Sequence, residues 1–365
     1  MAGRWRFAIY CTALLAGAPW QLAGGAIWNG GQFSKKHFPL SSGVCKLSRM
    51  SSVLPSRAVS GERACLALQS LARRTRRSTD ELIRLYALEG LLARLAVSRY
   101  AARLVLKGGV LLAAYGTRRA TRDLDLQARW VTNESGNVLT MIQEIAGIPM
   151  DDGLAYTVEA ATAYAIRQDG AHLGVRITLT CSLATASFGL HVDVNVDDPI
   201  WPAPQAITIP GLLGRDVALT GYSLAMVCAE KIVTAVERGP DTTRWRDFAD
   251  LCALSARHRV HGHELVGSIE RIAEFRGIPP RPLGDVLSDW QQTPPAAWPT
   301  WRRRRLLDGV PEAFAEVLAR VIGFADPALT REAVSATWTP LYRSWIDLCS
   351  GSGVTGPAGG VADQV

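Results

Sequence analysis

The sequence predicts an α+β protein, with a strand-rich middle flanked by helical regions at both ends. Three observations lead there. A short aliphatic run, Leu104 to Leu106, stops at Gly108-Gly109 and feeds a helix from Val110 to Tyr115, and a second strand then carries Asp123 and Asp125. Between residues 154 and 196 the chain alternates apolar and polar positions or clusters β-branched residues, the texture of strands. Before residue 100 and after residue 211, apolar residues recur at helical spacing.

Taken in order, residues 1–49 stand apart. Arg4 and Arg6 precede an apolar run from Phe7 to Ala16, with small residues at Ala16 to Ala18 and Ala23 to Ala26. That is the outline of a secretory signal peptide, and the run is too short to span a membrane. The preferred expectation is instead that Met50 is the natural start and that 1–49 is an upstream extension of the reading frame. Residues 51–79 are Ser- and Arg-rich, with a short helix over Ala64 to Leu71 and a basic connector at Arg73 to Arg77. Ser78 and Glu81 have the spacing of a capping box, opening a helix from Thr79 to Ser98 whose buried face is Leu82, Leu85, Tyr86, Leu92 and Leu95. Arg84, Arg94 and Arg99 are expected on its solvated face.

The next stretch, 104–127, holds the chemistry. Side chains at i and i+2 of a strand leave the same face, so Asp123 and Asp125 point the same way and repel without a cation between them. Such oxygen-rich pairs suit Mg²⁺, which binds one or two carboxylates plus substrate phosphates. Glycine lets backbone approach a ligand closely, and the N–H groups at a helix start attract phosphate. A nucleotide-phosphate site with a metal is the expectation.

A loop at Asn133 to Asn137 and a helix from Val138 to Gly147 follow. Strands are expected at 155–158, 163–167, 174–180 and 188–196. In the last, His191, Asp193 and Asn195 alternate with Val192, Val194 and Val196, which makes Asp193 a candidate third carboxylate beside the alternative of a solvent-facing edge acid. Asp197 and Asp198 belong to the following turn. The proline-rich segment from Trp201 to Pro210 reads as a crossing to the C-terminal part. A helix from Tyr222 to Val236 carries Lys231 and stops at Arg238-Gly239-Pro240. Asp247 and Asp250, three apart, share a helix face, where capping is the simplest role. From residue 50 onward Lys107 and Lys231 are the only lysines among many arginines, which suggests that a compact point charge is needed at those two places. Residues 256–350 read as mostly helical, including Glu312 to Phe324 and Leu341 to Leu348; the histidines of 257–263 form a surface loop without a zinc set. Arg302 to Arg305 is a solvated charge run, with an RNA-backbone contact as the alternative. The Gly/Ala-rich 351–365 reads as a disordered tail.

At 365 residues the chain can bury a sizeable core, and a net charge of +7 favours anionic partners. Seven scattered cysteines (11, 45, 65, 181, 228, 252, 349) without a C-x-x-C pair argue against a disulfide framework or zinc finger and for reduced thiols.

The glycine pair followed by Asp-x-Asp resembles the signature of the nucleotidyltransferase superfamily. More closely, residues from about 51 to 350 are similar to the AbiEii/AbiGii-type nucleotidyltransferase toxins, the toxic half of a bacterial two-gene abortive-infection and toxin–antitoxin system. The residues that carry the likeness are LVLKGGVLL (104–112), RRATRDLDL (118–126), YSLAMVCAEKIVTAV (222–236) and WRDFADL (245–251), with LGVRITL (173–179) and HVDVNVDDPIWPAP (191–204) between them. The resemblance implies a minimal polymerase-β-like core, a mixed sheet with helices, at 101–210. It would be extended by helical regions at 50–100 and 211–350, with 1–49 and 351–365 outside the fold. It implies transfer of a nucleoside monophosphate from an NTP to an acceptor such as tRNA. Lys107, Gly108, Gly109 and Lys231 would hold the nucleotide, and Asp123, Asp125 and Asp193 would hold Mg²⁺ (or Mn²⁺). Asp123, Asp125, Lys231 and Asp247 would be catalytic, with Asp250 beside Asp247. Gly109 lacks the hydroxyl of those members that carry Ser there, and Asn195 and Asp197 stand where relatives tend to have Gly. The implied partners are NTP, tRNA and a winged-helix antitoxin encoded by a neighbouring gene, with no membrane and a cytoplasmic location. A reaction consuming NTP is what favours Met50 as the start. Two other readings compete: a phosphotransferase acting on a protein, and a non-catalytic member of the fold. The complete Gly-Gly, Asp-x-Asp, Lys and Asp set argues against the second.

Overall fold

The computed structural model describes residues 57–347 apart from 133, 169–171, 197, 242–243 and 308. The signal-like segment, Met50, the C-terminal tail, Asp197 and Cys11, Cys45 and Cys349 lie outside the described residues. Helices α1 (Arg57–Thr75) and α2 (Thr79–Val97) come first. Strand β1 (Leu104–Lys107) runs straight into a four-residue helix, α3 (Gly108–Leu111), and the chain returns as β2 (Asp123–Ala128). After α4 (Ser135–Gly147) come three long strands, β3 (Leu154–Gln168), β4 (His172–Leu183) and β5 (Ala186–Val196), then β6 (Gln205–Ile209) and β7 (Val217–Gly221). The C-terminal region holds α5 (Leu224–Arg238), α6 (Trp245–Ser255), a two-residue β8 (Val260–His261) and α7 (Gly262–Arg276). It continues through the short α8 (Leu283–Val286), α9 (Ser288–Gln292) and α10 (Trp298–Arg304) to α11 (Phe314–Leu329), β9 (Ala336–Thr339) and β10 (Ser344–Asp347).

Seven strands form one mixed sheet in the order β3-β4-β5-β2-β1-β7-β6, the α+β architecture that the sequence predicts. β2 lies at its centre, antiparallel to β1 and parallel to β5. β8, β9 and β10 make a second, small sheet. The apolar alternation of β5 places Val192 and Val194 in the core. Its polar face is not at a sheet edge: Asp193 and Asn195 are buried as well, because β5 has β4 and β2 on either side. The C-terminal helices gather around a cluster of Phe248, Trp290, Trp298 and Phe314 rings.

Several local expectations change. The strands expected at 155–158 and 163–167 are one strand with a register shift between Thr157 and Thr162, a bulge that absorbs the break in pattern. The segment expected as a bare crossing contains β6, which pairs with β7 and buries Ile207 and Ile209. Leu341 to Leu348 is not a helix over its described part: Ser344–Asp347 pairs with β9, and Trp345 stacks on Phe324. In the histidine loop, Val260–His261 pairs with β9 and Gly262 already starts α7. Ser78 sits at the N-cap of α2 without a side-chain bond, and the Glu81 carboxylate is held by the Arg77 guanidinium and does not reach back to the cap. Arg94 is not solvated. It is fully buried, bonded to Asp152 and to the carbonyls of Ile148 and Gly90, and lies over the Tyr156 ring. Cys65, Cys181, Cys228 and Cys252 are free thiols, and the last three are buried. No helix among the described residues is long and apolar enough to cross a membrane.

Candidate active site

The β1–α3 junction is a tight corner. Gly108 adopts φ +68°, in the left-handed region that favours glycine, and a Cβ at this position would overlap the carboxylate of Asp125. The strand-to-helix turn and the first acidic strand are therefore fitted to each other by the absence of a side chain. Register does the rest: Asp125 lies opposite Lys107 on β1 and opposite Asp193 on β5, while Asp123, two residues before it, shares its face.

Burial pushes the Asp125 carboxyl up to about 6; Lys107 works against the rise, while Asp193 and Asp123 add to it. Lys107 Nζ is buried and sits 3.0 Å from both Asp198 and Glu230. Burial disfavours its charge, but Glu230, with Tyr222 and Asp198, holds the ammonium well above the ordinary lysine range. Asp193 gives both oxygens to Arg176, at 2.6 Å each, from the neighbouring strand.

The second cluster comes from the C-terminal helices. Ser223 caps α5 by accepting from the Met226 amide, and α5 carries Lys231. Lys231 Nζ donates to Asp247 Oδ1 at 2.8 Å and Asp250 Oδ2 at 2.7 Å, so the two acids on one face of α6 converge on it. Burial alone would raise the Asp247 carboxyl, but Lys231 and Arg244 hold it well below the usual carboxylate range. Arg119, from the link before β2, clasps both oxygens of Asp250 at 3.0 and 3.1 Å.

Both clusters line one cavity of about 810 Å³. Lys107, Gly108, Gly109, Asp123, Asp125, Asp193, Lys231 and Asp247 all border it, so the sequence-predicted residues come together; Asp250 stands behind Lys231. Sequence reasoning missed Arg119, Arg176 and Glu230, which also line it. Their partners are set by register and by helix packing, and one arginine among many carries no mark of its own. The supposedly solvated Arg84, Arg304 and Arg305 line the cavity too.

A divalent cation suits the paired oxygens of Asp123 and Asp125, which leave the same face of β2. Asp193 is a different matter, because Arg176 occupies both its oxygens. Among the described residues no three His, Cys, Asp or Glu side chains are placed to hold one ion together.

No curated protein sequence matches the chain. Two solved structures are distantly similar. One is a candidate nucleotidyltransferase from H. pylori, 18% identical over 70% of this chain and 98% of its own, with a TM-score of 0.42. The other is JHP933 from Helicobacter pylori, 16% identical over 70% of this chain and 95% of its own, also with a TM-score of 0.42. The family model of the AbiEii nucleotidyl transferase toxins of type IV toxin–antitoxin systems matches residues 90–338, a span that runs from α2 to β9 and takes in every residue of both clusters. The chain therefore belongs to the AbiEii family and is an enzyme of the nucleotidyltransferase class.

Proposed function

We propose that this toxin transfers a nucleoside monophosphate from an NTP to an RNA acceptor such as tRNA, in the cytoplasm and with Mg²⁺ (or Mn²⁺). The observation that carries the reading is the convergence of Gly108-Gly109, Asp123, Asp125, Lys231 and Asp247 on one cavity from segments more than a hundred residues apart in the chain. Asp123 and Asp125 would hold the metal, which when bound neutralises phosphate charge and lowers the barrier to phosphoryl transfer. The chain's own residues do the positioning. The backbone at Gly108-Gly109 leaves room for a phosphate, Lys107 fixes Glu230 and Asp198 beside the carboxylates, and Lys231 supplies positive charge between Asp247 and Asp250. Asp193, held by Arg176, joins the carboxylate set once that pair opens. A membership in the type IV toxin–antitoxin family brings an antitoxin partner, for which a winged-helix protein from a neighbouring gene is our proposal.

The test is incubation of the full chain with Mg²⁺, each α-³²P-NTP in turn and total tRNA. Label should move to RNA with one base preferred, and Asp125→Ala should abolish it with the fold intact. Transfer from γ-labelled and not α-labelled NTP would instead indicate a phosphotransferase, and full activity in Asp125→Ala would overturn the site.

A further inference from the structure

Two cations of the cavity share one carboxylate. Asp250, 6% exposed in its side chain, accepts Arg119 Nε on both oxygens and Lys231 Nζ on one. Arg119 lies 131 residues before Asp250 in the chain, so this contact clasps the Gly-Gly/Asp-x-Asp layer to the C-terminal helices. Arg119 also touches the glycine corner: its Nη1 stands 3.2 Å from the point where a Cβ on Gly109 would lie. That nitrogen donates to the Ala120 carbonyl at 3.2 Å, and Nη2 has no hydrogen-bond partner among the described residues. Of the three donors on the Lys231 ammonium, two go to Asp247 and Asp250, which leaves one unused among the described residues. Both side chains border the cavity.

An arginine fork and a lysine ammonium, each with a spare donor and each fixed by the same buried acid, form a two-pronged anion site next to the glycine corner. We infer that Arg119 is a second phosphate-binding residue, paired with Lys231 across Asp250, and that Asp250 is a positioning residue which sets their spacing. This rests on the proposed NTP-dependent reaction. The ligand class is a linear polyphosphate, such as the triphosphate of the nucleotide. A planar fork that donates to two oxygens at once suits phosphate, and a lysine cannot reproduce that geometry. Asp250 has a price in anion affinity, since its charge opposes the ligand, so its use must lie in alignment.

Inorganic tripolyphosphate with Mg²⁺ is the probe, because it has no base and reads the anion site alone. Calorimetric titration of the full chain should show binding that falls roughly ten- to a hundredfold in Arg119→Gln, the range for loss of a charged hydrogen bond. Arg119→Lys should recover only part of the affinity, and it guards against misreading a folding defect, with thermal melts as control. Asp250→Asn should bind tripolyphosphate as tightly as the parent or more tightly, while kcat for transfer drops by about tenfold or more at unchanged or lower KM for the NTP. A merely structural Asp250 would lose both together. Unchanged binding in both Arg119 variants would overturn the inference and leave the nucleotidyltransfer reading standing. A parent chain that bound neither tripolyphosphate nor any NTP would overturn both.

Discussion

Asp125 is an acid whose burial works against its charge. Its folded carboxyl is raised to about 6, against an ordinary value of 3.8, so the native state binds more protons than the unfolded chain between those limits. Stability must then fall as pH rises through that window, and the cost persists at neutral pH. Asp125→Asn should therefore stabilise the metal-free protein at pH 7 by roughly 1–2 kcal/mol after allowance for solvent screening, read as a higher melting temperature, while abolishing transfer. A drop in stability would show that the ionised carboxylate is already compensated. The same sign governs metal binding. Mg²⁺ requires the carboxylate, so the rise in melting temperature on adding Mg²⁺ should be large at pH 7 and shrink below about pH 6. Gly108→Ala tests the neighbouring fit: the left-handed backbone and the overlap with Asp125 should together cost about 2 kcal/mol or more and remove activity, measured by urea unfolding and label transfer.

Secondary-structure elements show where a sequence carries its own structure and where it does not. The β1–Gly-Gly–β2 stretch was legible because its signals are local: a strand run, a turn residue at a left-handed position and a two-residue alternation. The period of β5 was equally plain, yet the place of that strand in the sheet depends on pairing with β2 and β4, which no local pattern reports. Arg94 shows the limit on helices. Its position on α2 reads as polar, and only the arrival of Asp152 from the bend before β3 makes burial tolerable. Breaking one partner of such a pair leaves a charge buried alone. Arg94→Leu should accordingly destabilise the protein by roughly 3–5 kcal/mol in urea titrations, and the double change Arg94→Leu with Asp152→Leu should recover part of the loss. A single change costing under about 1 kcal/mol would mean that Asp152 finds water or another donor.

Across the whole molecule, the net charge of +7 takes on a location. Asp123 and Asp125 line the cavity half-buried and Asp193 lines it buried, whereas Arg246, Arg304 and Arg305 are exposed where α6 and α10 border it. The charge run at 302–305 was visible in the sequence, but its nearness to Lys231 and Asp247 arises from the packing of aromatic rings that link the two helices, Trp245 against Trp301 and Phe248 through Phe314 to Trp298. Exposed arginines beside the proposed phosphoryl-transfer site are suited to the phosphodiester backbone of an acceptor strand, and such contacts have a measurable signature. Each phosphate neutralised releases counterions, so affinity falls with salt by a slope of about 0.7 per contact for a single strand. If RNA is the acceptor, Arg304→Ala with Arg305→Ala should weaken binding of total tRNA at low salt and reduce the slope of log affinity against log salt by roughly 1–1.5. Tripolyphosphate binding and the NTP KM should stay unchanged, because these two residues lie outside the Arg119–Lys231 pair. Fluorescence anisotropy at about 50 to 200 mM salt reads the slope directly. An unchanged slope would place the acceptor on another surface, and a lost slope together with lost NTP binding would mean that the α10 wall serves the nucleotide.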